Sequence, residues 1–208
     1  MQGDYVTVAG FAEDEFVEKK SRFIGHSKHV ETEAEALAFV AEISKKYWDA
    51  THNVYAFSLR DGMTRRYSDD GEPQGTAGVP VLDVILKEGV VDVCVVVTRY
   101  FGGILLGGGG LVRAYSQGAR IALAAAEKLH MTTCRLLEMA LDYSLYGKLT
   151  YMLPQYGVEV TGTDFTDLVT LRLKIRADRQ AAFEKALTEL TGGKVVAETV
   201  EEFFGDMP

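Results

Sequence analysis

VCVVVTRYFGGILLGGGGLVRAYSQG, residues 93–118, opens on the β-branched run Val93, Val95, Val96 and Val97, the pattern of a strand covered on both faces. The run ends in Thr98-Arg99-Tyr100-Phe101, crosses two glycine clusters and passes into a helical pattern. A central strand, a glycine-rich turn and a long helix are therefore expected, with the rest of the chain arranged around them. Gly102, Gly103, Gly107, Gly108, Gly109 and Gly110 permit positive φ and close backbone approach. Free amides at the helix start would point into the same space, which makes the glycine loop a candidate site for a phosphate-type anion. From Val93 to Ala126 there is no acidic residue, whereas Arg99, Arg113 and Arg120 are present. No G-x-G-x-x-G occurs and no lysine follows the glycines, which argues against Rossmann and P-loop nucleotide sites. Close packing of helix on sheet, without a ligand, is the competing reading.

The chain has 208 residues, of which 47% are hydrophobic, enough for one or two domains with real cores. Its longest apolar runs fall far short of the ~20 residues of a membrane span, and residues 1–10 lack the basic start and apolar core of a secretory signal. A cytoplasmic location is expected. The two cysteines, Cys94 and Cys134, form no C-x-x-C pair and suit a reducing compartment. With a net charge of −8 and no basic tail, nucleic-acid binding must rest on a local patch.

Ahead of the central stretch, Tyr5–Val8 reads as a strand. A turn is expected around Asp14, then a second strand from Phe16 through Arg22 to Val30, carrying Lys19, Lys20 and Arg22. Thr32 with Glu35 is a capping-box pattern, and Leu37, Val40, Ala41 and Ser44 give a helical stripe up to about Trp48. Val54–Leu59 reads as a strand, and residues 68–78 as a loop rich in Asp, Gly and Pro before a short helix over Val79–Lys87. The glycine cluster then leads into a helix from about Leu111 to Leu129, with Lys128 and His130 suiting its C-terminal dipole. From residue 131 the order becomes β-α-β-β-α-β, that of a ferredoxin-like module, with Pro154 shortening its first helix. Two domains are expected, residues 1–130 and 131–208.

Four segments together, Lys19–Ile24, His52–Ala56, Asp69–Gly78 and Thr98–Gly107, resemble the YigZ/IMPACT family and run in that family's order over about residues 17–118. The resemblance implies an α+β chain of two domains. The first is a ribosomal-protein-S5-domain-2-like α/β sandwich, a fold also found in elongation factor G; the second is ferredoxin-like and similar to elongation-factor modules. Eukaryotic relatives join the shared domain to an N-terminal RWD domain, through which they compete for an activator of a translation-controlling kinase. No such extension is expected here, so that role does not transfer.

Two functional readings follow. The first is a non-enzymatic binding protein linked to regulation of translation, holding RNA phosphates or a ribosome-associated protein. Arg99, Tyr100, Gly102, Gly103, Gly107, Gly108, Gly109 and Arg113 would form its ligand site, and Lys19, Lys20, Arg22, Arg65 and Arg66 its rim. The second is a small phosphate-ligand binding protein or metal-assisted phosphate-ester hydrolase, with His52, Asp69, Asp70 and Glu72 beside the glycine loop. The spacing of those carboxylates is not that of a calcium loop, and turn formation and helix capping explain them as well. No metal, cofactor or membrane partner is expected, and the oligomeric state is open. Arg99 is expected at the strand end facing the glycine cleft, unpaired internally, so that Arg99→Ala leaves stability within about 0.5 kcal/mol. Convergence of Arg99, His52 and Asp70 in one cleft would mark a small-molecule site, and a spread over a flat basic face would mark nucleic acid.

Overall fold

The computed structural model describes residues 3–207. The chain divides into two compact units, one of residues 5–129 and a second of residues 130–207 together with Gly3 and Asp4. The elements of the first are β1 (Tyr5–Val8), β2 (Phe11–Glu18), β3 (Ser21–His29), α1 (Glu33–Lys46), β4 (His52–Ser58), β5 (Arg65–Ser68), α2 (Gly78–Lys87), β6 (Val93–Tyr100) and α3 (Gly108–Ala125). Five of its strands form an antiparallel sheet in the order β2-β3-β6-β4-β5, which puts β6 at the centre. Side chains of β6 alternate between two cores. Val93, Val95 and Val97 pack with α2 and α3, while Cys94 and Val96 pack with Phe39 and Ile43 of α1. Covering both faces explains why this strand reads as an unbroken apolar run.

Helix α3 crosses the sheet at close range because the contact is made by glycines. A Cβ on Gly25 would lie 2.1 Å from the Gly118 carbonyl oxygen, and one on Gly118 would lie 2.7 Å from Val97 Cγ1. The helix stops at Ala125, and Lys128 already begins the next strand, so Lys128 and His130 are strand residues and do not serve the helix dipole.

Asp14 lies inside β2, and the expected turn there is replaced by a two-residue hairpin at Lys19-Lys20, with Glu18 paired to Ser21. Both lysines have positive φ, 46° and 65°, the geometry of a type I′ turn, which normally recruits Asn or Gly. The turn is clamped from outside: Gly102 donates its amide to Ser21 Oγ, and a Cβ on Gly102 would lie 2.0 Å from the Lys20 carbonyl carbon. In α1 the Thr32 hydroxyl accepts from the Glu35 amide, as the capping pattern predicts. The buried stripe, however, is Ala36, Phe39 and Ile43, one position out of phase with the expected one, and Leu37 is exposed.

The second unit takes up the chain within β7 (Lys128–Leu141), at His130, and contains α4 (Tyr143–Met152), β8 (Glu159–Phe165), β9 (Val169–Arg176), α5 (Gln180–Thr191) and β10 (Glu198–Asp206). Its strands lie antiparallel in the order β10-β7-β9-β8, the arrangement of a ferredoxin-like split βαβ module. Val169, Leu171, Leu173 and Ile175 of β9 line one face, against Leu149, Phe183 and Leu187 of the helices. Pro154 falls in a 3-10 turn, Leu153–Tyr156, that ends α4. Asp4, expected in the first domain, bonds Thr132 and Arg176 of the second.

Candidate functional site

Register places His52 of β4 directly opposite Arg99 of β6. Arg99 continues the row Val93, Val95, Val97 that faces α2 and α3, so its guanidinium enters an apolar layer and is only 5% exposed. A charge in such a place must be paired. The partner comes from the loop before α2: Glu72 Oε1 accepts from Arg99 Nη1 at 2.5 Å and from the Tyr115 hydroxyl of α3 at 2.7 Å. Burial, reinforced by the hydrogen bond to Glu72, pushes the Tyr115 pKa up and keeps its hydroxyl a donor. The expected unpaired Arg99 is thus corrected, because a guanidinium this deep is held by a carboxylate.

His52 Nδ1 lies 2.7 Å from the Asp70 carbonyl oxygen. A carbonyl can only accept, so Nδ1 donates to it, and the other ring nitrogen, Nε2, faces Glu72 Oε1 at 3.8 Å. The three loop carboxylates have separate duties. Asp69 accepts from the amides of Gly75, Ala77 and Gly78, capping α2. Its burial opposes ionisation, but those three amides outweigh it and hold the carboxyl below its ordinary range. Asp70 Oδ2 accepts from the Asn53 amide, and Glu72 pairs Arg99. Among the described residues no three His, Cys, Asp or Glu side chains are grouped to hold a metal ion. The loop carboxylates are thus engaged in capping, in a backbone contact and in the pair with Arg99.

Around this pair lies a cleft of 370 Å³, lined by His52, Glu72, Arg99, Phe101, Leu105 and Gly108, among others. Of the expected ligand residues, Arg99, Gly107 and Gly108 line it. Tyr100 points to the other face of the strand and donates to Asp49. Gly102 packs on the hairpin, Gly103 takes the positive φ of a turn, and Gly109 is the second residue of α3. Arg113 lies in a different depression of 480 Å³ between α3 and β2, with Lys19, Arg120, Glu18, Phe16 and Val112. The remaining rim residues are dispersed: Arg22 is paired with Glu15, whereas Arg65 and Arg66 lie on β5, at the opposite edge of the sheet from β2. Arg66 has Glu33 beside it. The single basic site expected from the sequence is thus two sites, a cleft built on His52 and Arg99 and a groove built on Lys19, Arg113 and Arg120. Tyr115 escaped notice because a tyrosine at helical spacing looks like any core residue.

Comparison with known proteins places both units. The Impact N-terminal domain matches residues 19–123, and a domain of unknown function, DUF1949, matches residues 139–194. This chain belongs to the IMPACT family. It is 39% identical over 195 residues to the IMPACT family member YvyE of Bacillus subtilis, covering 93% of this chain and 90% of that protein. Identity to the IMPACT family member YigZ of Escherichia coli is 34% over 187 residues, with 88% and 92% covered. A crystal structure described as that of a hypothetical protein superposes with a TM-score of 0.60 at 31% identity, covering 97% of this chain and 99% of the other. No described helix is long and apolar enough to cross a membrane.

Proposed function

We propose that this IMPACT family member is a binding protein that holds the phosphate backbone of RNA in the groove between α3 and β2, and through it acts in the regulation of translation. The observation that carries this reading is the state of three cations. Lys19, Arg113 and Arg120 line one groove, and among the described residues none of them forms an ion pair, in a chain of net charge −8. Unneutralised cations gathered in a depression are a local footprint for a polyanion, since they gain most by displacing its counterions. Arg113 and Arg120 are two turns apart on α3, about 10 Å, a spacing that lets one chain touch both. Glu18 at the groove's edge limits how far the positive field extends. The tie to translation comes from the family resemblance.

Three phosphate contacts give a salt slope near −2 for a single strand, so affinity should fall roughly twentyfold between 50 and 200 mM salt. Fluorescence anisotropy with a short single-stranded RNA at both salts tests this, alongside the Lys19→Ala, Arg113→Ala, Arg120→Ala triple variant. Weaker binding and a flatter slope in the variant, with stability within about 0.5 kcal/mol for each exposed change, support the reading. Binding that is independent of salt, or equal in the variant, overturns it.

A further inference from the structure

The cleft on His52 and Arg99 asks for something smaller than a polymer. Helix α3 begins there with Gly108, Gly109 and Gly110, no side chain caps it, and the first amide closed by a backbone partner is that of Leu111, onto the Gly107 carbonyl. The three preceding amides are open, at the positive end of an 18-residue helix. A second observation, independent of the helix, points to the same space. Arg99, 5% exposed and lining the cleft, keeps its Nε buried without any hydrogen-bond partner. A third concerns the glycines. Gly110 is explained by packing, since a Cβ there would lie 3.0 Å from Leu106 Cβ. Gly108 is not: its φ is not in the positive range, and a Cβ would meet only Thr76 Cγ2 at 3.9 Å. Glycine weakens a helix relative to alanine, so the fold gains nothing from it at this position. What a Cβ would fill is the approach to the open amides.

We infer that this cleft binds a small phosphomonoester with an apolar body, its phosphate on the α3 amides and Arg99 and its body against Phe101 and Leu105. A tripod of amides with one guanidinium matches the several oxygens of a phosphate better than the two of a carboxylate. Arg99 and Glu72 cancel each other's charge, which leaves the helix terminus as the net attraction for the anion. His52, its ring held by the Asp70 carbonyl, lines the same cleft and fixes the width of its polar end. The apolar half follows from the walls: Leu105 is 83% exposed and Phe101 45% exposed, both large side chains without a cover at the cleft mouth.

Phenyl phosphate is the probe, titrated calorimetrically into the full chain, with inorganic phosphate and phenylacetate for comparison. Saturable binding of phenyl phosphate, tighter than that of either comparison compound, is expected. In Gly108→Ala the affinity should fall roughly tenfold, the equivalent of one charge-assisted hydrogen bond, while Tm stays level or rises. Leu105→Ser should weaken phenyl phosphate and leave inorganic phosphate unchanged. The Lys19→Ala, Arg113→Ala, Arg120→Ala variant should bind phenyl phosphate as the unaltered chain does, separating this site from the RNA groove. No saturable binding, wild-type affinity in Gly108→Ala, or loss of binding in the groove variant overturns the site. Phenylacetate binding as tightly as phenyl phosphate overturns the choice of phosphate.

Discussion

Replacing Arg99 by alanine is the sharpest test of how the first unit is built. Its guanidinium and the Glu72 carboxylate are both nearly inaccessible, and the same carboxylate oxygen takes the Tyr115 hydroxyl. Arg99→Ala leaves that carboxylate buried with a single neutral donor. Breaking a buried pair from one side costs roughly 3–5 kcal/mol, whereas exchanging both partners for apolar residues of similar volume is often neutral or better. Arg99→Ala and Glu72→Ala should therefore each lower stability by about 4 kcal/mol, on the order of 15 °C in Tm for a unit of this size. The Arg99→Met, Glu72→Met double variant should recover most of the loss. Urea denaturation followed by circular dichroism reads all three. A loss within about 0.5 kcal/mol for Arg99→Ala, as for a surface residue, or a double variant no better than the singles, would refute the buried-pair account.

Acid should destabilise the protein through His26. Burial, opposed by the Glu13 carboxylate and aided by Lys46, pulls its pKa from 6.5 to about 4. Above pH 6.5 the ring is neutral whether the chain is folded or not. Below it the unfolded chain takes the proton first, so stability falls toward pH 4 by up to roughly 3 kcal/mol. Denaturant midpoints against pH should show that slope, and His26→Gln should flatten it; equal slopes would refute the assignment. The first unit's cores and that of the second share no residue, so fragments 5–129 and 130–208 should each melt cooperatively. The second should gain stability when Asp4 is restored by fusion, and a fragment with no cooperative transition would refute its independence. Gly25→Ala should unfold or severely destabilise the first unit, because its Cβ would overlap a backbone oxygen of α3. A normal melting curve would show that the crossing is looser than described.

The elements that sequence revealed are those whose cause is local. The β6 valine run, the Thr32 cap and the alternation of β9 each announce themselves within a few residues. The α1 stripe was misplaced because Leu37 and Phe39 both satisfy helical spacing, and only the sheet decides which is covered. The β2–β3 hairpin was missed because Lys19-Lys20 carries no turn chemistry of its own and is held in shape by Gly102. In the candidate site, Arg99 was legible as a residue of the glycine cleft, and His52 and Glu72 as polar groups of an alternative reading beside it, but not the pairing among them. That depends on Tyr115 and on the β4–β6 register, which join residues far apart in the chain. The free cations could not be told from the spent ones, since Arg22 and Arg113 differ only in whether an acid such as Glu15 lies within reach.

The clamp of Gly102 on the Lys19-Lys20 turn sets an order of events during synthesis. Two left-handed lysines in succession are unfavourable without outside support, and the support lies 81 residues further along, at the Ser21–Gly102 hydrogen bond. β3 also needs β6, which follows α1, β4, β5 and α2. The amino-terminal hairpin is therefore expected to be marginal when excised from the rest of the sheet. In a chain still being made, its apolar side chains, Phe16 and Phe23 among them, are therefore expected to lack their full cover until the glycine loop has been synthesised.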